Sequence, residues 1–159
     1  MNELRDIEDI GEIVQYIIIK LGDEQYGIDI KFIDNIVRMQ QITRVPKVDN
    51  YFRGVINIRG SIVPVMSIRL KMGMEPDVLT DKSRIIIIKM DEGELLGIIV
   101  DQVEQVMNIG NKNIDKPSVD KKKEKGDFVS GVGKYDGGLV SILDLTALNP
   151  DYDKERKEA

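Results

Sequence analysis

Short apolar runs alternate with polar, glycine-bearing turns along most of the chain. Ile17-Ile18-Ile19 leads into the turn Gly22-Asp23-Glu24 and then into Tyr26-Gly27-Ile28-Asp29-Ile30. The same order returns downstream as Ile85 to Ile88, the turn Asp91-Glu92-Gly93-Glu94, and Leu96-Gly97-Ile98-Ile99-Val100. Each set predicts two strands around a tight turn. The likeness is an internal repeat. At a shift of 70, Gly27 matches Gly97, Ile28 matches Ile98, Ile30 matches Val100, Ile33 matches Val103 and Asp34 matches Glu104. A second block repeats at a shift of 77: Gly54-Val55 with Gly131-Val132, Gly60 with Gly137, Ile62-Val63 with Leu139-Val140, and Ile68 with Leu145. The added residues of the second half fall in the stretch Ile114 to Asp127.

Each half predicts a small sheet of four or five short strands. A lone sheet of that size is marginal, so the two are expected to close into small barrels that pack on each other. The repeat leaves open which strands belong to which barrel. The expected organisation is an N-terminal arm over 1–13, one unit over 14–149 built from repeats at about 14–70 and 84–148, and a charged tail over 150–159. Pro64 cannot donate to a ladder and is expected at an edge or a bulge. Ile33, Ile36 and Val37 follow i, i+3, i+4 spacing, as do Val103, Val106 and Met107. That spacing predicts a helical turn or an irregular segment with an apolar stripe. Such stripes are either core or the walls of a groove that accepts an amphipathic partner helix. Leu145 to Leu148 is expected to open a last short helix.

Composition strengthens the β reading. The 159 residues, enough for one ordinary domain, include 24 Ile and 15 Val against 2 Ala. The absence of His and Cys removes Ser-His and Cys-His nucleophiles, a phosphoacceptor histidine and most transition-metal sites. No phosphate-binding loop, dinucleotide fingerprint or calcium loop is present. The acid pairs Asp23-Glu24 and Asp91-Glu92 sit in predicted turns. No catalytic residue, cofactor or metal ligand is therefore assigned, and the chain is not expected to be an enzyme. Met1 to Glu12 is acidic and lacks a secretory pattern, and the longest apolar runs, such as Tyr16 to Ile19, are too short to span a membrane.

Charge separates the two copies. The first carries the turn Asn57-Ile58-Arg59-Gly60-Ser61, the second Lys134-Tyr135-Asp136-Gly137-Gly138. Arg59 is thus opposite in sign to its counterpart Asp136. Both turns fit a hairpin with glycine at a positive φ. An arginine on a rigid turn can grip a partner's carboxylate bidentately; the plainer reading is a solvated charge or a bridge to a local acid. Lys116 to Lys125 holds five lysines and reads as a solvated loop. The alternative function is a small-barrel nucleic-acid binder using that loop, against which stands a formal net charge of −5.

Three stretches together resemble the CheW family of chemotaxis coupling proteins: Gly22 to Ile30, Ile42-Thr43-Arg44-Val45-Pro46, and Phe52-Arg53-Gly54-Val55-Ile56-Asn57-Ile58-Arg59-Gly60-Ser61-Ile62-Val63-Pro64-Val65. The resemblance runs from about Val14 to Asn149. It implies two packed five-stranded Src-homology-3-like barrels with strand exchange. It also implies a cytoplasmic adaptor, recruited to membrane-associated chemoreceptor arrays, that links the histidine kinase CheA to the receptors' cytoplasmic tips and is able to self-associate weakly in rings. Carried over by position, Asn57 and Arg59, with Val55 and Val45, fall at the turn near kinase and receptor contacts. Ile33, Ile36 and Val37 fall on the segment facing the receptor helix, and Ile98, Val100 and Val103 on the groove's other wall. Asn35 stands where some relatives carry an acid.

Overall fold

The computed structural model describes residues 11–116, 128–135 and 137–148. The described strands are β1 (Ile13–Leu21), β2 (Glu24–Asp29), β3 (Ile33–Arg38), β4 (Phe52–Ile58), β5 (Ser61–Ser67), β6 (Arg84–Lys89), β7 (Leu95–Val100), β8 (Gln102–Gly110), β9 (Ile114–Asp115), β10 (Val129–Tyr135) and β11 (Gly138–Leu143). A one-turn helix follows β5 at Ile68–Lys71, and another follows β11 at Leu145–Leu148, where the sequence places one. Each opens on a side-chain cap. Ser67 Oγ accepts from the Leu70 N–H at 3.2 Å, and Asp144 Oδ1 accepts from the Thr146 N–H at 3.1 Å.

One sheet has the order β8-β1-β2-β11-β10-β9 and the other β3-β6-β7-β5-β4. Both curl closed by the same device. β8 and β9 stand at opposite ends of the first sheet yet are joined by only the 3-10 turn Asn111–Asn113. In the second sheet the chain after β3 runs on to Thr43, which exchanges two backbone hydrogen bonds with Val55 of β4, at 2.9 and 2.8 Å. The break between β8 and β9 gives one barrel six strands where five were expected; its counterpart in the other barrel is that single bridge.

The barrels exchange hairpins. β1–β2 from the first half completes the sheet of β8 to β11, and β6–β7 from the second half completes that of β3 to β5. The exchanged hairpins dock through short parallel seams at equivalent positions of the repeat, Ile142 beside Gly27 and Val65 beside Gly97. Glycine suits both positions: a Cβ on Gly27 would lie 3.1 Å from Ile142 Cδ1 across the seam, and one on Gly97 would lie 2.9 Å from Ile85 Cγ2 of the neighbouring strand β6. Pro64 sits opposite Val55, and pairing of β5 with β7 begins one residue later at Val65. It thus lies inside a central strand, at a point unpaired on its β7 side only, rather than at a sheet edge.

Exchange explains the four-residue apolar runs, because both faces of these strands are covered. Ile17 and Ile19 of β1, with Ile86 and Ile88 of β6, enter a large core between the barrels. Tyr16 and Ile18 face the six-stranded barrel's own interior, while Ile85 and Ile87 fill the other's.

The segments with i, i+3, i+4 spacing are strands, not helical turns. Ile33 pairs with Ile88 and Asn35 with Ile87, which leaves Asp34 as an extra residue. Val103 pairs with Ile19 and Gln105 with Ile18, which leaves Glu104 extra at the equivalent position. A bulge inserts one residue and resets the alternation, so apolar side chains three apart share a face and imitate helical spacing. The N-terminal arm up to residue 10, most of the lysine-rich loop, Asp136 and the tail lie outside the described residues.

Candidate interaction surfaces

The β4–β5 hairpin closes on two residues, Arg59 and Gly60, with Ile58 paired to Ser61. Both central residues have positive φ, +51° for Arg59 and +88° for Gly60. That is the geometry of a type I′ turn, whose twist matches the flanking strands. Glycine meets the demand freely; an L-residue such as arginine occupies the left-handed region at a cost of about 1 kcal/mol. Asn57 stiffens the tip by accepting a hydrogen bond from the Gly60 N–H at 2.9 Å. Arg59 is exposed and forms no side-chain hydrogen bond or ion pair among the described residues. The sequence assigned the positive φ to glycine alone and missed that Arg59 shares it. Of the other residues placed with this turn, Val55 is half-buried beside the Thr43 bridge and Val45 is exposed.

The groove residues divide. Ile33 and Ile36 are half-buried and pack against the core between the barrels, and Val103 does the same from the second half. Val37 faces the interior of the five-stranded barrel instead. Ile98 and Val100 have no exposed surface and belong to the inter-barrel core. They cannot wall a groove; lying in β7, which is covered on both faces, they support one from behind. Where the chain crosses between barrels a cleft of about 210 Å³ opens, lined by Phe32 but by none of the predicted groove residues. Phe32 and Met90 line it from one side, and Tyr16, Leu143 and Leu145 from the other. Asp29, Asp91 and Asp144 give it an acidic lip, offset by Lys89. Burial, reinforced by the Asp29 charge, pushes the Tyr16 phenol up from its ordinary value. Asp29 also caps the crossing, accepting from the Lys31 N–H at 3.0 Å, and Lys31 Nζ lies 5.0 Å from the centre of the Phe32 ring. The apolar stripe led to Ile33 but passed over its neighbour Phe32, which is 37% exposed.

A model of the CheW-like domain matches residues 15–151. The chain belongs to the CheW-like family. It is 33% identical over 136 residues to the chemotaxis protein CheW of Helicobacter pylori, covering 86% of this chain and 81% of that protein. It is 30% identical over 143 residues to CheW of Bacillus subtilis, covering 90% and 89%. The crystal structure of the scaffolding protein TtCheW from Thermoanaerobacter tengcongensis superposes with a TM-score of 0.78 at 29% identity, covering 89% of this chain and 91% of that one. The fold is therefore the two-barrel CheW fold, and the family is one of chemotaxis adaptors and scaffolds. Among the described residues no helix is long and apolar enough to cross a membrane.

Proposed function

We propose that this CheW-like chain is a non-enzymatic adaptor that couples the histidine kinase CheA to the cytoplasmic tips of chemoreceptors in membrane-associated arrays. The observation that carries the reading is Arg59. An exposed arginine without a partner among the described residues is held in a left-handed conformation that favours glycine, at the tip of a hairpin stiffened by Asn57. Local strain kept at an exposed tip is better accounted for by a contact to another molecule than by folding. The cleft lined by Phe32 and Met90 supplies a second face: an apolar floor with an acidic lip suits an amphipathic helix carrying a basic residue.

The mechanism is bivalency. Two faces on one rigid body hold kinase and receptor together, so modest interfaces suffice at high effective concentration. Influence on the kinase is conformational, through the state that the assembly favours. Arg59→Glu tests the reading. The variant is expected to fold normally and to lose kinase coupling; normal coupling by the folded variant overturns the role given to the turn. Ile33→Asp, at a half-buried site, is expected to reduce receptor capture selectively while kinase binding persists.

A further inference from the structure

A different cleft, on the five-stranded barrel, has features that the packing of the fold does not require. It has a volume of about 300 Å³, with Arg44 and Arg53 at its mouth and Ile42, Leu70 and Leu79 on its walls. The antiparallel bridge between Thr43 and Val55 sets Arg44 opposite Gly54 and beside Arg53. Gly54 allows this approach, since a Cβ there would lie 2.1 Å from the Thr43 carbonyl oxygen. Both arginines are exposed, and neither forms a side-chain hydrogen bond or ion pair among the described residues. The one acid in the cleft wall, Asp77, is committed elsewhere: its Oδ2 accepts the Ser67 hydroxyl. Its Oδ1 is buried and accepts no hydrogen bond among the described residues.

The repeat shows that the fold does not need this arrangement. At the equivalent positions the second half carries Lys116 for Arg44 and Ser130 for Arg53, so the guanidinium pair is peculiar to one copy. We infer that the Arg44–Arg53 cleft is a docking site for an extended segment of a partner protein in which an acidic side chain is flanked by aliphatic ones. Paired guanidinium groups recognise a carboxylate through charge-assisted hydrogen bonds. The aliphatic walls take the neighbouring side chains. Val78 and Leu79 are 79% and 55% exposed and extend the apolar strip beyond the cleft, which favours a peptide over a compact ion. No lining residue is aromatic, so a stacked nucleobase has no platform. The inference is independent of the CheA and receptor reading, because its test contains neither protein.

The full-length chain, labelled with nitrogen-15, is titrated with the capped tripeptide Leu-Asp-Leu, its Leu-Asn-Leu twin and inorganic phosphate. The acidic peptide is expected to move the amide resonances of Thr43 to Val45, Arg53 and Leu79. The neutral twin is expected to bind about tenfold more weakly. The exposed double variant Arg44→Gln, Arg53→Gln is expected to erase that difference while the rest of the spectrum stays in place. Equal affinity for the two peptides, no response to the acidic one, or binding unchanged by the double variant overturns the inference. Saturation by phosphate without discrimination between peptides makes it a small-anion site instead. The same resonances moving with protein concentration alone make it a contact between copies, and either outcome also overturns the inference.

Discussion

Arg69 holds both carboxylate oxygens of Asp101, through Nε to Oδ1 at 2.9 Å and through Nη2 to Oδ2. The pair joins the helix that follows β5 to the residue that follows β7, so it ties an exchanged hairpin to its host half. The Gly22 N–H donates to Oδ2 at 2.7 Å, which brings the other exchanged hairpin into the same clamp. Burial pushes the Asp101 carboxyl up, but the hydrogen bonds from Arg69 and Gly22 outweigh it and hold the pKa below the ordinary carboxylate range. A group depressed on folding contributes stability above its unfolded pKa and loses it as pH falls through the folded value. Wild-type stability is therefore expected to decline as pH drops below about 4, the ordinary aspartate value. Asp101→Asn is expected to cost about 2 kcal/mol at neutral pH and to flatten that decline. Urea titrations at neutral pH and at low pH check both; an unchanged slope with pH in the variant would remove Asp101 from the account.

Hairpin exchange means that neither half owns a complete barrel. Fragments 1–80 and 81–159, expressed separately, are expected to be unfolded or aggregated, and to regain strand structure when mixed. Circular dichroism and amide dispersion of each fragment and of the mixture decide it. A cooperatively folded single fragment would show that exchange is not needed for stability.

Glycine positions differ sharply in what they tolerate. Gly54→Ala forces a Cβ to within 2.1 Å of a backbone oxygen at a φ of +137°, and a loss of about 3 kcal/mol or more is expected. Gly93→Ala meets open space, and only its positive φ is penalised, at about 1 kcal/mol. Thermal melts of the two variants give the contrast; equal losses would refute the close approach at Gly54.

Arg59→Gly separates folding from function. Relief of the left-handed strain is expected to leave stability unchanged or raise it by up to about 1 kcal/mol, while partner coupling weakens. A destabilised Arg59→Gly would mean that the arginine serves the fold itself.

Much of this architecture was legible in the sequence. The glycines that mark the parallel seams, Gly27 and Gly97, fell in register in the repeat because both copies need the same close approach. Ile62 and Leu139 likewise hold the second position of equivalent strands. Exchange was legible only through the family resemblance, which implied it: read from the pattern alone, β1 and β6 look the same whichever sheet they complete, since a strand covered on both faces has no alternation to orient it. The bulges at Asp34 and Glu104 misled the period, because one inserted residue turns a two-residue rhythm into a three-residue step. Ile98 and Val100 looked available for a groove, as nothing in an apolar run distinguishes a wall from the core behind it. Arg59 stood out only by its difference from Asp136; the strain that gives it weight is a property of the backbone.

The central claim is simultaneous binding, and co-sedimentation measures it directly. Receptor-bearing membranes, CheA and this protein are mixed, and the kinase in the pellet is quantified with and without the adaptor. The account predicts kinase in the pellet only when the wild-type protein is present, and loss of that signal with Arg59→Glu. Equal kinase recovery without the protein, or competition between kinase and receptor for it, would contradict the account.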